Sequence, residues 1–189
     1  MKNRQSKLAK VLSLMVMVAL PLMAFSTPGL AQKAQELKDA HKMMSDGWKM
    51  FDDGQRMVIK GKEMNDLVAV QMGFQDKMVQ GDKIIQDGRN TQTQAATLFA
   101  QGDKTFTTNM TNPGVAKQGL KMMSDAFKMA DDGGKMIGEG MRMNIKVAEG
   151  AGAIEKVAQG NQVMETGMNT MAQGAQLFMQ GEALYLKLK

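Results

Sequence analysis

The sequence predicts an all-α protein in which two tandem, duplicated long helical hairpins form an antiparallel four-helix bundle. The first observation is a repeat: segment 42–106 matches segment 121–185 without any gap, at 29 of 65 positions and with a shift of 79 residues. The second is that Met and Gly both recur every seventh residue inside each copy, a heptad spacing typical of packed helices. Glycine occupies the heptad position at which a coiled coil usually carries Val or Ile.

Residues 1–31 are predicted to be a secretory signal peptide. Four Lys or Arg residues precede the apolar run 11–25, and a small-residue cleavage site ends at Ala31. An uncleaved membrane anchor fits less well, because Pro21 interrupts the run and a span needs about 20 apolar residues. We therefore expect a periplasmic or secreted protein, with no membrane association after cleavage.

The charge and cysteine content of the mature chain narrow the class of partner. Without the signal peptide the chain has 20 Lys or Arg against 19 Asp or Glu. Such a near-neutral chain lacks the basic surface that nucleic-acid binding needs, so no nucleic-acid partner is expected. The chain has no cysteine, and therefore neither disulfides nor a thiolate metal site, so helix packing must stabilise it.

The first hairpin is predicted over 32–109, and its first helix carries a glycine every seven residues, each followed three residues later by a methionine. These pairs are Gly47 and Met50, Gly54 and Met57, and Gly61 and Met64. Twelve heptad glycines in the chain would cost about 12 kcal/mol of helix stability. The simplest compensation is a close approach of two helix backbones, with Met side chains packed over the row of glycines.

A turn is predicted in the middle of each copy. The heptad phase slips by one residue within 68–81 and again within 147–160. In a continuous helix the row of heptad residues would turn by about 100° around the helix at each slip, so the helix must end there. Gly73 and the segment 150–152 stand where these turns are needed.

The second hairpin is predicted over 110–189, after a loop at 105–114 that contains Pro113, the only proline of the mature chain. Two hairpins of equal length joined by a short loop most simply form an up-and-down four-helix bundle. The alternative is that the hairpins pair between two chains and form an elongated homodimer.

Methionine makes up 18 of the 158 mature residues. One interpretation is a pliable core, because thioethers fill irregular space beside glycine. Another is Cu(I) or Ag(I) binding, since soft thioethers select soft cations. Met164, Met168 and Met171 are the candidate metal ligands, because their spacing of i, i+4 and i+7 puts the sulfurs on neighbouring turns. A third interpretation is that exposed methionines consume oxidants.

Methionines seven residues apart cannot chelate one ion by themselves, because they lie about 10.5 Å apart along the helix. The row within 43–57 could bind metal only if the matching row within 122–136 faced it across the bundle.

No catalytic residue is predicted. His41 is the only histidine, is expected at a solvated helix surface, and cannot by itself supply a zinc site or a Ser–His–Asp arrangement. The acidic pairs 52–53 and 131–132 recur in both copies. Adjacent helical residues point about 100° apart, so these pairs are expected to be solvated rather than to share a proton.

The expected function is that of an exported, non-enzymatic helical bundle with a binding or structural role in the cell envelope and no cofactor. Its partner would be a second copy of itself or another envelope protein. The alternative is a methionine-rich periplasmic protein that binds Cu(I) or Ag(I).

Overall fold

The computed structural model describes residues 28–110 and 112–188. Within them the chain forms four α-helices and no strand: α1 (Pro28–Met72), α2 (Val79–Thr108), α3 (Pro113–Gly150) and α4 (Ile154–Lys187), with a 3-10 turn at Gln75–Lys77. The predicted all-α helical bundle is confirmed. The predicted signal peptide lies outside the described residues except for 28–31, which form the start of α1.

Glycines end α1 and α3 at the places where the heptad phase slips. Gly73 and Gly152 have φ values of +73° and +66°, a conformation that L side chains rarely adopt. After Gly73, the N–H of Phe74 donates to the carbonyl of Ala69 at 3.0 Å and closes the end of α1. The end of α3 is closed in the same way, so both predicted turns are confirmed.

The connection between α2 and α3 is shorter than the loop predicted over 105–114. Helix α2 continues to Thr108 and α3 begins at Pro113. Pro113 fits the first helical position because its missing N–H would have no partner there. The side-chain oxygen of Asn112 accepts from the N–H of Val115 at 3.4 Å and caps α3.

The heptad glycines lie where two helix backbones approach each other. A Cβ added at Gly54 would lie 2.5 Å from the carbonyl oxygen of Gly167, and one at Gly88 would lie 2.6 Å from that of Gly133. No real Cβ tolerates such distances, so only glycine fits. We call these two rows of contacts, between α1 and α4 and between α2 and α3, the glycine seams. They pair Gly47 with Gly174, Gly54 with Gly167, Gly61 with Gly160, Gly81 with Gly140, Gly88 with Gly133, and Gly102 with Gly119.

Both seams follow one register. In every facing pair the two residue numbers add up to 221, as they would in a single long hairpin folded at the connection between α2 and α3. The paired helices are therefore antiparallel. Each seam joins a helix from one sequence copy to a helix from the other, whereas α1 and α2, or α3 and α4, are farther apart.

The core lies between the two seams and is richest in aromatic side chains. Trp48 stacks on Phe99 with 4.2 Å between ring centroids, and Phe127 stacks on Phe178 with 4.3 Å. Phe51 meets Phe127 edge to face at 5.3 Å. All four helices contribute a ring, so this cluster ties the two seams together.

Charged side chains cover the outside of the bundle. Asp52 pairs with Arg56 at 2.7 Å, and Asp131 pairs with Lys135 at 2.6 Å. Asp52 and Asp131 thus form surface ion pairs with residues one helical turn away, as expected for solvated positions. Within 28–110 and 112–188, none of the helices combines the length and the apolar character needed to cross a bilayer.

Candidate binding groove between α3 and α4

A groove of about 290 Å³ lies between α3 and α4. We call it the α3–α4 groove. Its apolar lining includes Phe51, Gly134, Gly138, Met168, Met171 and Ala175, and three charged residues, Asp131, Lys135 and Arg142, line it as well. An apolar concavity with a few polar groups is the usual form of a small-ligand site.

Two glycines outside the heptad seams open this groove. The 79-residue shift places Gly134 and Gly138 on Gln55 and Ile59 of the first copy. A separate cavity, lined by Ile59, Arg89 and residues of α3, measures only about 10 Å³. The nearest atom to a Cβ added at Gly138 would be the sulfur of Met168 at 4.0 Å. The groove therefore exists because the second copy lacks side chains that the first copy has.

The predicted metal ligands are divided between the groove and the core. Met168 is 38 % exposed and Met171 is 8 % exposed, and both line the groove. Met164 is 2 % exposed and packs on the α1–α4 seam, where its Cγ would lie 2.5 Å from a Cβ at Gly61. The fold thus brings together two of the three thioethers and leaves the third outside the groove.

The two rows of heptad methionines lie over different seams. The Cβ of Met50 packs against Gly174 of α4, and the Cβ of Met122 packs against Gly102 of α2. Both side chains are half-buried at the edge of their seam. The rows therefore cover separate helix pairs and do not form a shared set of metal ligands.

Arg142 and Lys135 differ in their charge environment. Lys135 pairs with Asp131 at 2.6 Å and with Asp132 at 3.1 Å, and the hydrogen bond to Asp131 raises the pKa of Lys135. Arg142 is exposed and forms no ion pair with any residue in 28–110 or 112–188. Of the two cations at the groove, Arg142 is therefore the one available to a bound anion.

A buried amide lies behind the floor of the groove, which sequence reasoning missed. Gln92 is 2 % exposed, its Nε2 donates to the carbonyl of Ala130 at 3.4 Å, and its Oε1 has no partner among the described residues. A Cβ added at Gly134 would lie 3.6 Å from the Nε2 of Gln92 and 3.2 Å from the Cε of Met171. An unpaired buried amide group costs about 1–3 kcal/mol. The sequence does hold one signal of this amide: the repeat aligns Gln92 with Met171, so a polar residue stands at a position that is apolar in the other copy.

The expectation of a solvated His41 is wrong. The side chain is 23 % exposed, its Nε2 lies 2.6 Å from Oδ1 of Asp103, and its ring stacks on Phe106 with 5.6 Å between centroids. This contact joins α1 to α2. In the described part of the chain, no three His, Asp or Glu side chains are grouped so that they could hold a metal ion.

A half-buried lysine links three helices away from the groove. Lys62 of α1 bonds Asp66 at 2.6 Å and Asp82 of α2 at 3.0 Å, and Asn144 of α3 donates to Asp82 at 2.8 Å. Burial lowers the pKa of Lys62, but the hydrogen bonds to the two aspartates outweigh it and the pKa lies above its ordinary value. This network connects three helices and lies outside the α3–α4 groove.

Comparisons with protein families, with curated proteins and with solved structures found no match to this chain. Its class therefore follows from its own fold and groove. It is a helical-bundle protein whose two glycine seams hold the helices close together and whose α3–α4 groove is a small apolar space accessible from outside.

Proposed function

We propose that this protein is an exported, non-enzymatic helical bundle that binds a small ligand in the cell envelope, and that the α3–α4 groove is its binding site. The observation that carries the proposal is the pair Gly134 and Gly138. Glycine within a helix costs about 1 kcal/mol relative to alanine. At the seams close packing requires glycine, but a Cβ at Gly138 would make only an ordinary contact with the sulfur of Met168 at 4.0 Å. A binding groove accounts for glycine where packing does not.

We further propose that the bundle arose by duplication of one helical hairpin, with copies at 32–109 and 110–189, and that the second copy acquired the groove. The repeat of 29 identities supports this. The seams are consistent with it. A shift of 79 residues carries Gly54 onto Gly133 and Gly88 onto Gly167. The facing pairs Gly54–Gly167 and Gly88–Gly133 are therefore equivalent positions of the repeat.

The non-enzymatic assignment is supported by the chemistry of the groove. Its charged residues are a carboxylate paired with a lysine, and an arginine, which is a poor proton donor or acceptor at neutral pH. His41 is bonded to Asp103 between α1 and α2, apart from the groove. Binding requires only the apolar lining and the charges beside it.

The test of the binding site is to fill it. In the mature chain, Gly138→Ile restores the side chain that the first copy has at this position, in space that is free to receive it. We expect it to abolish binding of the neutral apolar fluorophore N-phenyl-1-naphthylamine. Gly150→Ile is the matched control, because Gly150 is also a helical glycine, lies outside the groove and has nothing within 4 Å of an added Cβ. Undiminished binding by Gly138→Ile would refute the assignment of the site.

A second candidate function is Cu(I) or Ag(I) binding, favoured by Met168 and Met171 lining one groove together with Phe51. Thioethers three residues apart on a helix can approach one soft ion. An aromatic ring beside it would add a cation–π attraction.

Titration with Cu(I) against a chromophoric competitor tests this candidate. We expect the double variant Met168→Leu with Met171→Leu to lose Cu(I), while Met164→Leu, outside the groove, retains it. Leucine preserves the apolar volume, so binding of the apolar fluorophore should survive in both. Absence of stoichiometric uptake by the unmodified chain would eliminate the metal hypothesis.

A further inference from the structure

We infer that the ligand of the α3–α4 groove is a small amphipathic anion, with an aliphatic chain in the apolar part and a carboxylate or phosphate head bound by Arg142. The inference rests on the proposed binding function and specifies the chemical class of the ligand. It is drawn from the size and lining of the groove, from the distribution of charge along it, and from the absence of an ion pair at Arg142.

The size and lining of the groove select a short flexible chain. A volume of about 290 Å³ lies at the lower end of the range of ligand sites, about 300–1,000 Å³. The lining combines one aromatic ring, two adaptable thioethers and small residues. Such a lining suits an alkyl chain, which can follow a narrow groove between two helices.

The charges give the groove a direction. Asp131 and Arg142 are eleven residues apart on α3, which corresponds to about 16 Å along the helix. Asp131 disfavours an anionic head at its own end, so the head lies at the Arg142 end and the chain extends toward Gly134. Gly134 and Arg142 are eight residues apart, about 12 Å along the helix, which a chain of about ten carbons fits at close to 1.3 Å per bond.

Arginine at this position suits an anionic head group. A guanidinium forms two parallel hydrogen bonds to a carboxylate or phosphate, and Arg142 has no carboxylate partner within the described residues. The residue at this position in the first copy is Glu63. An arginine at this heptad position therefore occurs only in the copy that carries Gly134 and Gly138.

The expected contribution of the head is modest. Arg142 is exposed, and water screens ion pairs at exposed positions. The apolar chain should therefore provide most of the affinity, while the arginine discriminates between anionic, neutral and cationic head groups.

In the experiment, the mature chain is titrated with decanoate, decyl phosphate, decanol and decyltrimethylammonium, and calorimetry measures the binding of each compound. Fluorescence of Trp48, the only tryptophan, is a second readout, because it stacks on the groove residue Phe51 at 5.9 Å. Both anions should bind, and the cation most weakly. Arg142→Gln should weaken the anions about three- to fivefold and leave decanol unchanged. Arg56→Gln, at an exposed arginine outside the groove, is the matched control.

The outcomes separate this inference from the proposed function. Binding of decanol with no preference for the anions, or an Arg142→Gln variant indistinguishable from Arg56→Gln, would overturn the amphipathic anion and leave the groove as a site. Binding of none of the four compounds, together with no binding of the neutral fluorophore, would overturn both. A preference between decanoate and decyl phosphate identifies a fatty acid or a phosphorylated lipid as the source of the head group.

Discussion

The side-chain oxygen of Asn65 points at the backbone of Gly160 across the α1–α4 seam. A Cβ added at Gly160 would collide with this Oδ1, while the Nδ2 of Asn65 donates to Asn161 at 2.7 Å. Asn144 stands in the same relation to Gly81 in the other seam. Neither oxygen has a conventional hydrogen-bond donor in the described residues, so the Cα–H of the facing glycine is its contact.

This contact suggests how the register of each seam is selected. A slip along the seam would place the buried Asn oxygen against a different residue and lose the glycine contact. Single buried polar residues are known to specify register in coiled coils at some cost in stability. We expect Asn65 and Asn144 to act in this way.

The first prediction concerns Gly160→Ala. We expect it to lower the free energy of unfolding by about 1–3 kcal/mol, because the added methyl group meets both Asn65 and the backbone of Gly61. In a double-mutant cycle with Asn65→Ala the loss should be partly relieved, with a coupling of at least about 0.5 kcal/mol. Urea denaturation of the four proteins measures this. Strict additivity would show that the oxygen does not restrict Gly160.

The second prediction compares glycines with different surroundings. Gly54→Ala should destabilise the protein by about 1–3 kcal/mol despite better helix propensity, because its Cβ would meet the backbone of α4. The bulkier substitutions Gly54→Leu and Gly133→Leu should destabilise the protein further. Gly150→Ala, with open space around it, should be neutral or stabilising. Melting followed by circular dichroism tests the order, and a higher Tm for Gly54→Ala than for Gly150→Ala would contradict the close approach.

The third prediction is a pH dependence caused by Lys62. Its pKa is raised in the folded state above the ordinary 10.5, so the folded protein holds this proton more tightly than the unfolded chain does. The stabilisation is present below pH 10.5 and is lost as the pH rises through the raised pKa. Lys62→Met, which introduces the residue found at Met141 in the other copy, should flatten this part of the stability profile. Equal slopes for both proteins in urea denaturation would exclude the network as the cause.

The fourth prediction distinguishes the methionines by exposure. With limiting hydrogen peroxide, Met168 and Met179 should be oxidised first, because they are exposed, and Met44 and Met123 last, because they are fully buried. Peptide mass spectrometry at successive times gives the order. Rapid oxidation of Met44 in a protein that remains folded would contradict this packing, and uniform oxidation would favour the oxidant-consuming role.

Heptad spacing and the phase slips were enough to predict four helices and the turns at Gly73 and Gly152. These features depend on local chemistry: the period of an α-helix and the freedom of glycine to adopt positive φ. The repeat of 29 identities in 65 positions is likewise visible in the residues themselves. The methionine cluster of α4 was also visible, but only as a spacing along one helix.

The pairing of the helices and the groove were decided by the tertiary structure. Each helix has a row of small residues, so the sequence does not state which two rows meet, and packing selects α1 with α4 and α2 with α3. Gly134 and Gly138 become a groove only because α4 passes beside them without filling the space. The same holds for Met164, which packs on the α1–α4 seam outside the groove that Met168 and Met171 line, since a side chain's environment depends on the helices packed around it as well as on its own helix.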